Sequence, residues 1–121
     1  MADENDVGLI LVGRLEFAPG DDDKYAEISR QSMIDTAGSP GCVYYRLIRD
    51  ADRPQLFHLA EGWRDLAALE LHFRRTHFQK AMLKLRELQF VLREVKAYTV
   101  SGVMDLPMAC LLYTSPSPRD S

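Results

Sequence analysis

Apolar and polar residues alternate along four segments of the chain, and this alternation is typical of β-strands with one buried face. The predicted strands cover residues 7–17, 42–49, 55–63 and 94–102. Pro19 and Gly20 end the first strand, since neither residue continues a regular ladder. Only the short polar turn 50–54 separates the second strand from the third, so we expect these two strands to form a hairpin.

Between the strands, apolar residues recur every three to four positions, as they do on amphipathic helices. This spacing predicts helices over residues 21–37 and 65–73, and a further helix that opens at Thr76. The segment 38–41, Gly-Ser-Pro-Gly, ends the first helix. Thr76 and Gln79 have the spacing of a capping box, so we expect their side chains to close the start of the last helix.

The resulting order, β-α-β-β-α-(α)-β, predicts a ferredoxin-like α+β domain in which helices cover one face of a four-stranded antiparallel sheet. The opposite face keeps apolar residues on strands 1, 2 and 3. A patch of this kind is rare on a monomer, so we expect a second copy to pack against it and form a homodimer. The alternative is that these side chains are isolated surface residues.

Composition narrows the classes of partner. The 121 residues carry a net charge of −3 without a basic stripe, so we expect no binding to nucleic acid. Apolar runs are far shorter than a membrane span and the N-terminus lacks a basic region, so we expect neither a membrane nor a signal peptide. Two cysteines, Cys42 and Cys110, are interpreted as free thiols of a cytoplasmic protein.

The chain divides into three parts. We expect a flexible N-terminus over residues 1–6, a single domain over 7–102 and an irregular tail over 103–121. Residues 111–121 are rich in Ser and Pro and similar to translated sequencing-adapter tails. We therefore interpret this last segment as non-native and expect the native C-terminus to be missing.

Three stretches in order resemble the antibiotic biosynthesis monooxygenase family. They are GRLEFAPG at 13–20, GSPGCVYY at 38–45 and EGWRDLAALELHFRRTHF at 61–78. The resemblance implies a dimeric α/β barrel with a pocket between sheet and helices in each protomer. Family members oxidise phenolic or hydroquinone-like substrates with O₂ without metal or flavin, while others degrade haem, isomerise small molecules or have no assigned activity.

The resemblance also implies site residues. Trp63 matches a pocket tryptophan that would face an aromatic substrate; the alternative is a core tryptophan. His72 and His77 match two family histidines that could accept a phenolic proton. Alternatively, His72 binds loop backbone and His77 helps to cap the next helix. Glu61 matches a glutamate that could act as a base with a raised pKa, or form a salt bridge instead.

Four further residues complete the predicted substrate site. Arg14 would steady an anionic intermediate or face solvent, and Tyr45 would line the pocket because it shares a face with Val43 and Leu47. Phe78 and Met82 are interpreted as pocket wall or core.

Metal and haem sites are not expected. The two histidines of the motif are five residues apart across a helix break, and His58 lies on the other face of its strand. Haem-degrading relatives have an asparagine where this chain has Gly13 and an axial histidine near Met82. We therefore expect a cofactor-independent monooxygenase acting on a small aromatic substrate and O₂, or else a non-catalytic binding protein or isomerase with the same pocket.

Overall fold

The computed structural model describes residues 6–107 of the chain. The elements are β1 (Leu9–Phe17), α1 (Asp21–Thr36), β2 (Cys42–Arg49), β3 (Leu56–Trp63), α2 (Leu66–Phe73), α3 (Thr76–Leu85) and β4 (Phe90–Thr99). This order confirms the ferredoxin-like α+β fold. The expectations for the first five residues and for the segment 108–121, including Cys110, lie outside the described residues. No helix in the described part is long and apolar enough to span a bilayer.

The sheet has the strand order β2-β3-β1-β4, and every neighbouring pair is antiparallel. The predicted hairpin of β2 and β3 is confirmed by this pairing. Along the central strand β1, alternate residues face the helices and are buried, namely Leu9, Leu11, Gly13, Leu15 and Phe17. The residues between them point to the opposite face, which none of the helices in the described part of the chain covers.

The apolar core lies on the helix-facing side and has two parts. One part surrounds Trp63, and its buried members are Leu9, Leu11, Tyr45, Leu47, Trp63, Ala68 and Leu69. The other consists of Leu15, Phe17, Tyr25 and Phe57. In this second part the rings of Phe17 and Tyr25 stack with centroids 4.5 Å apart. Both parts contribute side chains to a cavity between the sheet and the helices.

The fourth strand begins earlier than predicted, at Phe90 rather than Glu94, and it ends at Thr99. A register shift between Glu16 and Phe17 brings Phe90 opposite Phe17, with ring centroids 4.7 Å apart. The cross-strand aromatic contact stabilises the early pairing. Because the first three residues of the strand are all apolar, they show no alternation, and the sequence pattern missed them.

The predicted capping box of α3 is wrong. Thr76 is the first helical residue, the cap position falls on Arg75, and no side chain caps this end. Instead, Nε2 of Gln79 donates a hydrogen bond of 2.6 Å to the carbonyl oxygen of Phe73. Only two residues separate the helices, so the side chain of Gln79 reaches back to satisfy the end of α2.

The uncovered face of the sheet retains large apolar side chains. Val12 on β1 is 50% exposed, and Ile48 on β2 and Tyr98 on β4 are exposed to a similar degree. The salt bridge between Arg14 and Glu94 lies on this same face.

Candidate functional site

A cavity of about 520 Å³ lies between the helix-facing side of the sheet and the three helices. Every helix and strand contributes to its wall, which is mainly apolar and aromatic. The larger side chains at its surface include Tyr25, Tyr45, Phe73, Phe78, Met82 and Phe90. Among the described residues that line the cavity, only Glu61 and Arg93 carry a charge. A concave apolar site with a few polar groups is the usual form of a small-molecule pocket.

Glu61 is the buried acid of this cavity, with 5% of its surface exposed. It lies on β3 opposite Leu11 of β1 and Tyr45 of β2. Its Oε1 accepts a hydrogen bond of 2.9 Å from Nε1 of Trp63, two residues along the same strand face. Burial raises the pKa of Glu61 to about 7, although the hydrogen bond from Trp63 opposes this shift.

The salt-bridge interpretation of Glu61 finds no support within residues 6–107, where its carboxyl group takes part in no ion pair. No neighbouring cation therefore offsets the cost of burying the charged carboxylate, so the protonated form of Glu61 is favoured. A carboxyl group with a pKa near neutrality can exchange protons with a ligand in the cavity.

Trp63 is completely buried and belongs to the core behind the cavity wall rather than to its surface. Its ring contacts the rings of Tyr45, at a centroid distance of 6.4 Å, and His72, at 4.8 Å. This is the position of a core tryptophan, which was the alternative interpretation of Trp63. From here the indole acts on Glu61 through its N–H group and does not offer its face to a ligand in the cavity.

His72 is 1% exposed and lies outside the cavity lining. Aromatic rings enclose it, including Phe78 at a centroid distance of 4.8 Å. Neither ring nitrogen has a hydrogen-bond partner in the described part of the chain, so the interpretation that His72 binds loop backbone is wrong. Burial, aided by the charges of His77 and Arg75, lowers the pKa of His72 to about 4, so the ring is neutral at pH 7.

His77 lies in the first turn of α3 and does not cap it. Its ring is 5.7 Å from that of His72, and its Nε2 is buried without a partner among residues 6–107. The ring faces a second, more polar groove of about 750 Å³ between α1 and α3, lined also by Glu27 and Lys80. The two histidines therefore contact each other, but neither lines the cavity that contains Glu61.

The remaining predicted residues divide between the two faces of the sheet. Tyr45, Phe78 and Met82 all line the cavity, and burial raises the pKa of the Tyr45 hydroxyl. Arg14 instead points to the uncovered face, where its Nη2 lies 3.1 Å from Oε1 of Glu94. Residues of opposite parity on a strand point to opposite faces, so its guanidinium does not line the cavity and the solvent-facing alternative describes its position.

Tyr25 and Arg93 are among the lining residues that were not singled out from the sequence. Tyr25 belongs to the apolar stripe of α1, and its place in the wall follows only from how that helix packs. Arg93 precedes the predicted fourth strand but lies within the observed one, opposite Leu15. Recognising the strand from Phe90 onwards would have placed it on the helix-facing side.

No group of three or more His, Cys, Asp and Glu side chains within residues 6–107 is arranged to hold a metal ion.

The fold and the sequence both match known proteins. The chain is 25% identical over 98 residues to the uncharacterised protein sll1783 of Synechocystis sp., covering 81% of this chain and 67% of the relative. A proposed antibiotic biosynthesis monooxygenase from Deinococcus radiodurans has a similar structure, with a TM-score of 0.73, 20% identity and coverage of 82% of this chain and 98% of that one.

PA3566 from Pseudomonas aeruginosa superimposes with a TM-score of 0.71 at 26% identity, over 80% of this chain and 97% of that chain. The sequence profile of the family described as antibiotic biosynthesis monooxygenase matches residues 8–84. That match spans β1 to α3 and so includes Glu61, Trp63 and both histidines of the motif. The chain therefore belongs to the antibiotic biosynthesis monooxygenase family.

Proposed function

We propose that this protein is a cofactor-independent monooxygenase that oxidises a small phenolic or quinol-like substrate with O₂. The observation that carries the proposal is the buried carboxyl group of Glu61 in an aromatic-lined cavity, with a pKa of about 7. Membership of the family supports the reaction class, although a fold of this kind hosts more than one chemistry.

The first step is removal of the phenolic proton. Because the pKa of Glu61 is about 7, a part of the Glu61 side chains is ionised at pH 7. The ionised carboxylate accepts the proton of a substrate hydroxyl that reaches Glu61, while the N–H group of Trp63 holds Oε1 in place. A base whose pKa lies near the working pH is well suited to this transfer.

The second step consumes O₂. The phenolate gives one electron to O₂, the resulting radical and superoxide combine at the ring carbon para to the hydroxyl, and cleavage of the O–O bond releases water. In balance, a phenol with a free para C–H and one O₂ yield a quinone and one H₂O. The substrate supplies all electrons, so the step needs no external reductant. At the end of the cavity where Glu61 is 5% exposed, the apolar wall limits the contact of the reacting atoms with water.

A homodimer forms part of the proposal. The uncovered face of the sheet exposes Val12, Ile48 and Tyr98, each about half accessible in a single chain. Fully burying one aliphatic side chain of this size stabilises a structure by roughly 1.5–3 kcal/mol relative to leaving it exposed. A single chain with this face in water lacks that stabilisation. We propose that a second copy covers this face, leaving the helix-side cavity of each protomer free for its ligand.

The test is O₂ uptake by metal-free protein with a panel of 1-naphthols and related polycyclic phenols whose para C–H is free. We expect uptake above the autoxidation blank, and a loss of at least about 100-fold in Glu61→Gln. Glu87→Gln is the matched control, because Glu87 is exposed, follows the C-cap of α3 and does not line the cavity. Uptake that equals the blank, or that is unchanged in Glu61→Gln, refutes the proposal.

A second candidate is an isomerase that uses the same cavity. An isomerase of this kind needs one acid–base group to move a proton between two positions of its substrate. Among the described lining residues Glu61 is the only carboxyl group, and no histidine lines the cavity. This function predicts that phenolic or enolic ligands raise the thermal stability of the protein without any O₂ uptake.

A further inference from the structure

The described lining of the cavity contains one cation in addition to the buried acid. Arg93 pairs with Leu15 on β1, and Leu15 faces the helices, so Arg93 lies on the cavity side of β4. Its guanidinium carbon lies 5.1 Å above the ring of Phe90, which also lines the cavity. Within residues 6–107 Arg93 takes part in no ion pair, unlike Arg14 on the other face.

The acid and the cation lie at different ends of the cavity. Glu61 is level with Leu11 on β1, whereas Arg93 is level with Leu15, four residues further along and on the opposite edge of that strand. With standard strand spacing and rise, this offset corresponds to roughly 16 Å between their Cα atoms. Glu61 is buried and Arg93 is exposed, so Arg93 marks the mouth.

The environment of Arg93 suits an anion. A guanidinium group presents a planar set of donors that matches a carboxylate in a bidentate manner. The face of Phe90 holds the group in position and leaves its N–H edge free. At the other end, a ligand carboxylate would meet the Glu61 carboxylate in a desolvated site, and this repulsion would be costly.

We propose that the cavity binds an aromatic ligand that carries a carboxylate, with the carboxylate held by Arg93 at the mouth and the phenolic end directed towards Glu61. The orientation rests on the proposed function, because only that function requires a phenol at Glu61. The carboxylate preference itself does not require turnover. Arg93 thus determines which phenols the protein selects and which way round they enter.

The experiment compares binding of 6-hydroxy-2-naphthoate and its uncharged carboxamide by calorimetry under anaerobic conditions. We expect the wild type to bind the carboxylate at least tenfold more tightly than the amide. Arg93→Gln should lose that preference and keep its affinity for the amide, and Arg93→Lys should retain part of it. Arg93 is exposed, so these variants should fold, which their thermal transitions will verify.

Two controls locate the site. Arg86→Gln removes an exposed cation of the same type at the end of α3, outside the cavity, and Lys80→Gln removes one from the polar groove between α1 and α3. Both should leave carboxylate binding unchanged. Weaker binding in Lys80→Gln, or an equal affinity of the wild type for the two ligands, overturns the inference.

The two proposals can fail separately. If the carboxylate preference depends on Arg93 but no phenol drives O₂ uptake, the anion site stands and the monooxygenase proposal falls. If phenols are oxidised in a manner that depends on Glu61 but Arg93→Gln does not distinguish acid from amide, the inference falls and the enzyme proposal stands.

Discussion

Nε1 of Trp63 donates a hydrogen bond of 2.9 Å to Oε1 of Glu61, and both side chains are buried on the same face of β3. This contact makes the tryptophan a partner of the acid instead of a surface for the ligand. A donor N–H stabilises the ionised carboxylate, whereas burial favours the protonated form, and burial prevails.

We expect Trp63→Phe to raise the pKa of Glu61 further, because it removes the hydrogen bond that favours the ionised form while leaving an aromatic ring in the core. The pH at which O₂ uptake rises to half of its maximum should therefore increase. The midpoint of the titration of the ¹³C-labelled Glu61 carboxyl group, observed by NMR, should increase as well. Tyr98→Phe, on the uncovered face, is the control. An unchanged pKa would show that the contact does not control the acid.

Glu61 and His72 should give the unfolding free energy opposite dependences on pH. The folded state raises the pKa of Glu61 from 4.5 to about 7, so it binds more protons than the unfolded chain and stability falls as pH rises through this window. The folded state lowers the pKa of His72 from 6.5 to about 4, so stability is lost as pH falls through that window.

Because the windows overlap, we expect the wild type to show a shallow profile between roughly pH 4.5 and 6.5. Glu61→Gln should be more stable than the wild type at pH 8, by up to about 3 kcal/mol, and should lose stability towards acid. His72→Leu should lose stability towards neutral pH instead. Urea unfolding across this range measures both slopes, and parallel profiles for the two variants would contradict the assignment.

Gly41 and Gly38 provide a matched pair for testing close packing. Both have φ near +80°, but a Cβ at Gly41 would collide with Cβ of Ala68, whereas nothing lies within 4 Å at Gly38. Alanine should cost roughly 1–2 kcal/mol at Gly38 from backbone strain. It should cost about 1–3 kcal/mol more at Gly41 because this residue, directly before β2, packs on Ala68 of α2. Equal losses in denaturant unfolding would argue against this contact.

The proposed dimer predicts a solution mass of twice the 13.8 kDa chain by light scattering. Val12→Glu places a charge in the centre of the uncovered sheet face and should dissociate the dimer. Leu83→Glu changes an equally exposed aliphatic residue on α3 and should leave the dimer intact. A wild type of single-chain mass, or dissociation by both variants, would contradict sheet-to-sheet packing.

Much of the fold could be predicted from local patterns. The first three strands and the first helix appear close to their predicted bounds because alternation and helical spacing report directly which residues are buried. Phe90 could not be placed in this way, since it begins an unbroken apolar run and its pairing depends on a register shift at Phe17. The cap of α3 failed for a related reason, because the tight connection from α2 determined the role of Gln79.

The candidate site was predicted less evenly. Tyr45, Phe78, Met82 and Glu61 line the cavity, whereas Trp63 and the two histidines lie behind its wall or in the neighbouring groove. Strand parity alone places Glu61 and Trp63 on one face, but it does not state which of them reaches the space beneath the helices. That depends on how α2 and α3 pack above them.

The sequence by itself determined the element order and the family resemblance, because both depend on residue types at spacings of a few positions. Only the tertiary structure decided that Trp63 donates to Glu61, that His72 is enclosed without a partner and that Arg93 stands at the mouth. These relationships join residues whose environment comes from several elements at once, and burial and desolvation depend on that whole environment rather than on local spacing.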